Sequence, residues 1–117
     1  MNEISFTAAA NLTTDPELRY TSSARPVTNL RLAVNSRRRN TEGTWVDAPT
    51  TYLDGTVWGE QAERVAARLH KGDRVVVSGT LVTRTWTGDD GTERRKLEVA
   101  VDELGASLLF RDVQIER

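Results

Sequence analysis

The chain of 117 residues has no cysteine, one histidine and only three prolines. Without cysteine it forms no disulfide and offers no thiolate metal ligand. A single histidine, His70, argues against a histidine-based metal site. No apolar run approaches the roughly 20 residues that span a bilayer, and the first residues do not open a signal peptide. We therefore expect a soluble, cytoplasmic protein with no cofactor, no metal and no membrane partner.

The charge is close to neutral overall but unevenly spread. Sixteen Lys and Arg residues face seventeen Asp and Glu residues, for a net charge of −1. The first forty residues are basic, with six arginines against three acids. A near-neutral total is compatible with a basic groove, so bulk charge neither favours nor excludes a nucleic-acid partner.

Alternation of apolar and polar residues predicts a chain made mainly of strands. The length allows one domain with a modest core. Period-two segments predict five main strands, and residues 60–70 change to a helical period with Gly72 as terminator. A short last strand follows, with Val113 and Ile115 on one face. Four of the main strands are predicted over residues 4–12, 27–36, 74–87 and 94–102, and the third in order starts at Thr50 or Thr51 and leads to the helix. In the last strand Leu97, Val99 and Val101 are expected inward and Glu98 outward.

This order predicts an all-β fold. Five strands with one short helix between strands 3 and 4 form the layout of an OB-fold barrel, a fold that binds oligonucleotides. Gly79 in mid-strand predicts the bend or bulge that curls a sheet into a barrel. We expect residues 1–110 to form the barrel. Residues 111–117 are expected to add a C-terminal strand whose open edge invites pairing with another chain.

The stretch Tyr52–Gly59 has an unusual outer face. Tyr52, Asp54, Thr56 and Trp58 share it, and exposed large aromatics on a strand require a reason. We hypothesise that bases stack on Tyr52, Trp58 and Trp86 while cations follow the phosphates, which makes binding sequence-tolerant and salt-dependent. The candidate cations lie on outward faces or in adjoining loops: Arg31, Arg37, Arg38, Arg39, Arg84, Arg94 and Lys96.

Other interpretations stay open on pattern alone. The triplet Arg37–Arg39 is also typical of a solvated loop, and Trp86 of a residue that staples its hairpin. Trp45 is expected to cover the base of the preceding hairpin. Tyr52 and Trp58 equally suit an OB domain that binds another protein. No catalytic triad, P-loop or metal cluster is present, so we do not expect an enzyme.

Motifs spread over residues 4–110 resemble those of bacterial single-stranded DNA-binding proteins. The segment 101–108, Val-Asp-Glu-Leu-Gly-Ala-Ser-Leu, is similar to the actinobacterial branch in particular. No single motif is decisive, and the resemblance rests on the order and spacing of the whole set of motifs. Its members are Asn11-Leu12, Asp15-Pro16-Glu17-Leu18-Arg19-Tyr20, Leu30-Arg31-Leu32-Ala33, Val57-Trp58-Gly59, Leu69-His70-Lys71-Gly72-Asp73, Val77-Ser78-Gly79-Thr80-Leu81 and Thr83-Arg84-Thr85-Trp86.

The resemblance implies a function and an assembly. It places Tyr52, Trp58 and Trp86 at the family's base-stacking positions and Arg84 at a basic one. It implies a homotetramer that wraps single-stranded DNA, associates with the nucleoid, and supports replication, recombination and repair. It also implies that residues 111–117 clasp a neighbouring subunit. An accessory paralogue in DNA uptake or chromosome segregation is the alternative role.

The sequence also departs from the family pattern. Arg38 replaces an aromatic residue, while Asp54 and Glu60 stand where basic residues are usual. Both acids are expected to weaken phosphate attraction. The family's disordered, acidic-tipped tail does not follow Arg117, so either the sequence is shortened or the protein is a tail-less paralogue. We do not expect this sequence to recruit replication and repair proteins through such a tail.

Overall fold

The computed structural model describes residues 2–117 as eight strands and one helix. The five longest strands form the barrel, and the other three strands are short additions to it. In chain order the elements are β1 (Ile4–Leu12), β2 (Glu17–Tyr20), β3 (Pro26–Val34), β4 (Arg37–Arg39), β5 (Trp45–Asp47), β6 (Thr51–Trp58), α1 (Glu60–Arg68), β7 (Arg74–Thr87) and β8 (Glu93–Ala106).

The long strands close into the predicted OB-fold barrel. They follow the order β1-β7-β8-β6-β3, and a pairing of β1 with β3 through Asn11↔Ala33 and Leu12↔Leu32 returns the sheet to its start. All of these pairs are antiparallel except β6 with β8, which run parallel over Asp54–Thr56. The helix lies between the third and fourth long strands, as the sequence predicted.

The core is filled by the inward residues of each strand, mostly valine and leucine. Leu12, Leu32, Val57, Val77 and Val99 are essentially inaccessible to water. Period-two alternation brings them to one face, and removing their apolar area from water stabilises the barrel at about 25 cal/mol per Å². The partly buried side chains Phe6, Leu53 and Leu81 pack around this centre.

Helix α1 closes one end of the barrel. Gly59 has φ 75°, a conformation that glycine adopts readily, and this lets the chain turn from β6 directly into the helix. Ala62 and Val65 are buried against the core. The Thr28 hydroxyl donates to the carbonyl of Ala62 at 3.0 Å and ties the helix to β3. No helix of the described residues is long and apolar enough to cross a membrane.

Two boundary predictions are corrected. The helix ends at Arg68, before His70, because Leu69 is extended and packs partly buried against the core. Gly72 therefore does not end the helix. With φ 93° it turns the chain after the helix and donates its N–H to the carbonyl of Leu12 at 2.7 Å. The second long strand stops at Val34, because the Ser36 carbonyl accepts from Ala48 as the chain enters the β4–β5 hairpin.

The predicted faces of β8 are also corrected. Leu97 was expected inward but is exposed, whereas Glu98 was expected outward but is buried. Leu97 pairs with the exposed Thr83, where the β7–β8 hairpin extends beyond the core as an arm. Glu98 is retained beneath the sheet surface by hydrogen bonds from Thr56 and Arg84. The strand also continues past the predicted end at Asp102, as far as Ala106.

The predicted strand over residues 111–117 does not form within the single chain. These residues have no regular secondary structure. A strand needs a neighbouring strand edge for its hydrogen bonds, and no ladder in the described residues includes this segment. The segment lies back against the helix, where Arg68 contacts Glu116 at 2.9 Å. Leu108, Leu109 and Phe110 just before it are largely exposed.

Gly79 allows the barrel to curl, and this gives a stability prediction. The β7–β8 register shifts between Ser78 and Gly79, and a Cβ on Gly79 would lie 2.2 Å from the carbonyl oxygen of Ala100. Because that neighbour is backbone, Gly79→Ala should lower the free energy of unfolding by about 1–3 kcal/mol, as overpacking does. Urea unfolding measures this.

Gly105→Ala is the matched control, because a Cβ there meets nothing within 4 Å. Equal unfolding midpoints for the two variants would contradict the role assigned to Gly79.

Candidate nucleic-acid interface

Three exposed aromatic side chains mark one surface of the barrel. Tyr52 and Trp58 lie at either end of β6, with 54% and 39% of their surface exposed, and Trp86 on the β7–β8 arm is 39% exposed. Asp54 and Thr56 share the β6 face with the first two rings, because alternate residues of a strand point the same way. The predicted aromatic face of β6 therefore exists in the structure.

Each of these rings lies beneath an arginine. The guanidinium carbon of Arg31 is 5.4 Å from the Tyr52 ring centre, and that of Arg84 is 4.6 Å from Trp86. Arg25 lies 4.2 Å from the centre of Trp58. Such cation–π contacts are worth about 0.5–1 kcal/mol at exposed sites. The rings are thus already stacked on cations in the absence of nucleic acid.

Arg25 belongs to this surface although sequence reasoning did not select it. The turn between β2 and β3 positions it, with its backbone N–H donating to the Thr21 hydroxyl at 3.1 Å. Val27, two residues later, is the partner of Trp58 in the β3–β6 ladder. The sequence signal that could have identified Arg25 was its position as a basic residue just before the strand that pairs with the aromatic strand β6.

A row of charged residues crosses the same surface. In the sheet register Arg31 is opposite Asp54 on β6, and Asp54 is opposite Glu98 on β8. Arg31 donates to Asp54 Oδ1 at 2.8 Å, and Lys96 contacts Asp54 Oδ2. Arg84 Nε donates to Glu98 Oε2 at 3.0 Å. We call Arg31, Asp54, Lys96, Glu98 and Arg84 the ionic row.

Glu98 is buried because both of its carboxylate oxygens have partners. Oε1 accepts from the Thr56 hydroxyl at 3.0 Å, and Oε2 accepts from Arg84. A buried carboxylate is tolerated when it is paired and hydrogen-bonded. This explains why a position expected to face solvent lies beneath the surface.

The surroundings of Asp54 lower its pKa. Partial burial disfavours the charged carboxylate and acts to raise the pKa. Hydrogen bonds and charge from Lys96 and Arg31 outweigh that effect, so the net shift is downward. Asp54 is therefore ionised at neutral pH and pairs with two of the predicted phosphate ligands, Arg31 and Lys96, offsetting one of their two positive charges.

The remaining predicted cations do not join the ionic row. Arg37, Arg38 and Arg39 form the first strand of a separate two-stranded sheet, the β4–β5 hairpin. Arg37 is 3.7 Å from Asp47. Arg94 lies near the tip of the β7–β8 arm and contacts Asp90 at 3.1 Å.

The position of Trp45 is corrected. It pairs with Arg39 at the turn end of the β4–β5 hairpin, while Arg37 and Asp47 form the base. Its ring is largely exposed and lies 5.3 Å from the guanidinium of Arg39, so it does not cover the base of the hairpin.

A cavity of about 470 Å³ opens beside the ionic row. Asn29, Thr56 and Trp58 line it together with Arg84 and Glu98. Its walls combine an aromatic ring with hydrogen-bonding groups, a lining suited to a planar polar ligand such as a nucleobase. Among residues 2–117, no three His, Cys, Asp or Glu side chains are grouped to hold a metal ion.

The sequence model of the Single-strand binding protein family matches residues 1–107. The chain belongs to this family. A single-stranded DNA-binding protein of Paenarthrobacter aurescens is 42% identical over 118 residues, covering 98% of this chain and 68% of that protein. Its counterpart in Corynebacterium glutamicum is 37% identical, and the match covers 52% of that protein. The predicted resemblance to the actinobacterial branch is confirmed.

A solved structure of the same family agrees with the fold. The small single-stranded DNA-binding protein from Streptomyces coelicolor superposes with a TM-score of 0.75 at 30% identity, covering 92% of this chain and 97% of that one. Proteins of the single-strand binding protein family are non-enzymatic DNA-binding proteins, which agrees with the expectation drawn from the sequence.

The lowered pKa of Asp54 makes part of the stability depend on pH. A group whose folded-state pKa is depressed stabilises the fold above its unfolded pKa and loses that contribution as pH falls through the folded value. We expect the wild type to be more stable than Asp54→Asn at neutral pH, with the difference shrinking as the pH falls below the ordinary aspartate pKa of about 3.9. Urea unfolding of both proteins over this range measures it.

Asp90→Asn is the comparison: Asp90 also has a lowered pKa but lies at the surface, where solvent screens its interactions, so its pH-dependent difference should be the smaller of the two. A pH-independent difference between wild type and Asp54→Asn would contradict the assigned ion pairs.

Proposed function

We propose that this protein binds single-stranded DNA by stacking bases on Tyr52, Trp58 and Trp86 while arginine and lysine side chains contact the phosphates. The observation that carries the proposal is the set of three exposed rings on one barrel surface, each beside an arginine. Aromatic stacking is worth about 1–3 kcal/mol per base and tolerates any sequence. The names of its relatives support the same ligand.

The mode of binding follows from the chemistry of this surface. Aromatic rings stack on any base, so the affinity for DNA should depend only weakly on the DNA sequence. Phosphate contacts release condensed counterions, so affinity falls as salt rises. Arg25 joins the predicted set as a cation that contacts DNA beside Trp58. The biological role we propose is protection of exposed DNA in the nucleoid during replication, recombination and repair, with an accessory role in DNA uptake or chromosome segregation as the alternative.

The assembly we propose is a homotetramer. Support comes from the C-terminal segment, where Leu108, Leu109, Phe110 and Ile115 are largely exposed in the single chain. Exposed apolar side chains of this density are typical of protein interfaces. Residues 111–117 then gain the strand partner that they lack within their own chain by pairing with a neighbouring subunit.

Removing the rings tests the binding surface. Trp58→Ala and Trp86→Ala should each weaken binding to fluorescently labelled oligo-dT by about 1–3 kcal/mol, because one stacked base is lost. Fluorescence anisotropy at fixed salt measures the affinity, and circular dichroism checks that each variant is folded.

Tyr20→Ala is the control, since Tyr20 is an exposed aromatic on β2 that is not one of the three proposed stacking rings. If the tryptophan variants bind as tightly as Tyr20→Ala, the stacking rings are assigned wrongly. If the folded wild type does not bind oligo-dT at low salt, the alternative of an OB domain that binds another protein replaces the proposal.

Deleting residues 111–117 tests the clasp. The truncated chain should dissociate at higher protein concentration than the full chain, because the inter-subunit strand pairing is lost. Sedimentation velocity over a concentration series measures this. Arg68→Ala is the comparison, since it removes only the contact with Glu116. An unchanged dissociation profile after truncation would remove the clasp from the proposal.

A further inference from the structure

The ionic row has two layers of charge. The carboxylates lie deeper, with 12% of the Glu98 side chain and 27% of the Asp54 side chain exposed. The cations lie above them, with between 37% and 51% of the side chains of Lys96, Arg31 and Arg84 exposed. The acids therefore hold the cations from beneath, on the side away from an approaching strand of DNA.

We propose that Asp54 and Glu98 act as internal substitutes for DNA phosphates, and that Asp54 sets the salt dependence of binding. The inference rests on the proposed function. Asp54 is a positioning residue in this scheme, because it acts through Arg31 and Lys96 and repels phosphate itself.

The register of the sheet explains why the acids keep their cations. Asp54 and Glu98 are direct partners in the parallel β6–β8 ladder, so two like charges face each other. Like charges opposite each other destabilise a sheet unless they are compensated. Arg31, Lys96 and Arg84 provide this compensation, which leaves the row with one net positive charge.

Paired cations contribute differently to DNA binding from unpaired ones. The salt dependence of single-strand binding arises from phosphates neutralised by cations, with a slope of about −0.7 per contact. A cation held by a protein carboxylate must first leave that carboxylate, and an unpaired, partly buried acid is costly. Arg38 is exposed and makes no ion pair among the described residues, so we expect it to contribute its full charge to the salt dependence of DNA binding.

Of the two acids, Asp54 is the one that can be substituted with less disturbance to the sheet. Glu98 is buried and also holds the Thr56 hydroxyl, so changing it disturbs the sheet. Asp54 is more accessible and lies on β6 between the two rings. Asparagine in its place keeps the shape but removes the charge that holds Arg31 and Lys96.

The test measures the affinity for labelled oligo-dT over a series of salt concentrations. Asp54→Asn should bind more tightly than the wild type at low salt and steepen the log–log slope by about 0.7, because removing one carboxylate leaves one more positive charge free to neutralise a phosphate. Asp54→Glu, which restores the charge, should return the slope towards the wild-type value. Glu93→Gln is the matched control, because it releases Arg95, which is outside the row and is not one of the predicted DNA contacts.

A second pair of variants avoids any change at Asp54. Lys96→Gln removes a paired cation and should change the slope less than Arg38→Gln, which removes an unpaired one. An unchanged slope in folded Asp54→Asn, or an equal steepening in Glu93→Gln, overturns the inference and leaves the proposed function standing. Failure of the wild type to bind oligo-dT overturns the proposed function and this inference together.

Discussion

The three-residue parallel ladder between β6 and β8 joins the aromatic strand to the long β7–β8 arm. Without it, Tyr52 and Trp58 would lie on a sheet that ends at β6, and Trp86 would belong to a different surface. The ladder also places Asp54 opposite Glu98, and the three cations of the ionic row compensate these two neighbouring negative charges. Gly55 lies within this ladder, with the side chains of Leu32 and Val101 close by.

Local patterns were sufficient to predict most of the barrel. Alternation located β1 and β7 to the residue, and the change of period at Glu60 located the helix, because burial on one side leaves a regular trace in a single segment. The exposed rings of β6 followed from the same rule. β2 escaped prediction because its alternation of Glu, Leu, Arg and Tyr lasts only four residues and none of them is buried.

The charge arrangement could not be predicted, because it depends on which strands become neighbours. Asp54 and Lys96 are 42 residues apart, and the sequence presented them as one acid that repels DNA and one cation that attracts it. The register makes them a pair. Leu97 and Glu98 exchanged their expected environments for a related reason: where the arm leaves the barrel, alternation no longer separates core from solvent.

The arginines above the rings also affect the protein when no DNA is present. Three large aromatic side chains on one face would form an adhesive apolar patch, and such patches promote association between molecules. The guanidinium groups of Arg25, Arg31 and Arg84 cover part of each ring with charge. In the binding mode proposed above, each base would take the place of a cation over its ring, so that one planar group is exchanged for another. The charged groups over the rings thus oppose association between protein molecules when no DNA is bound.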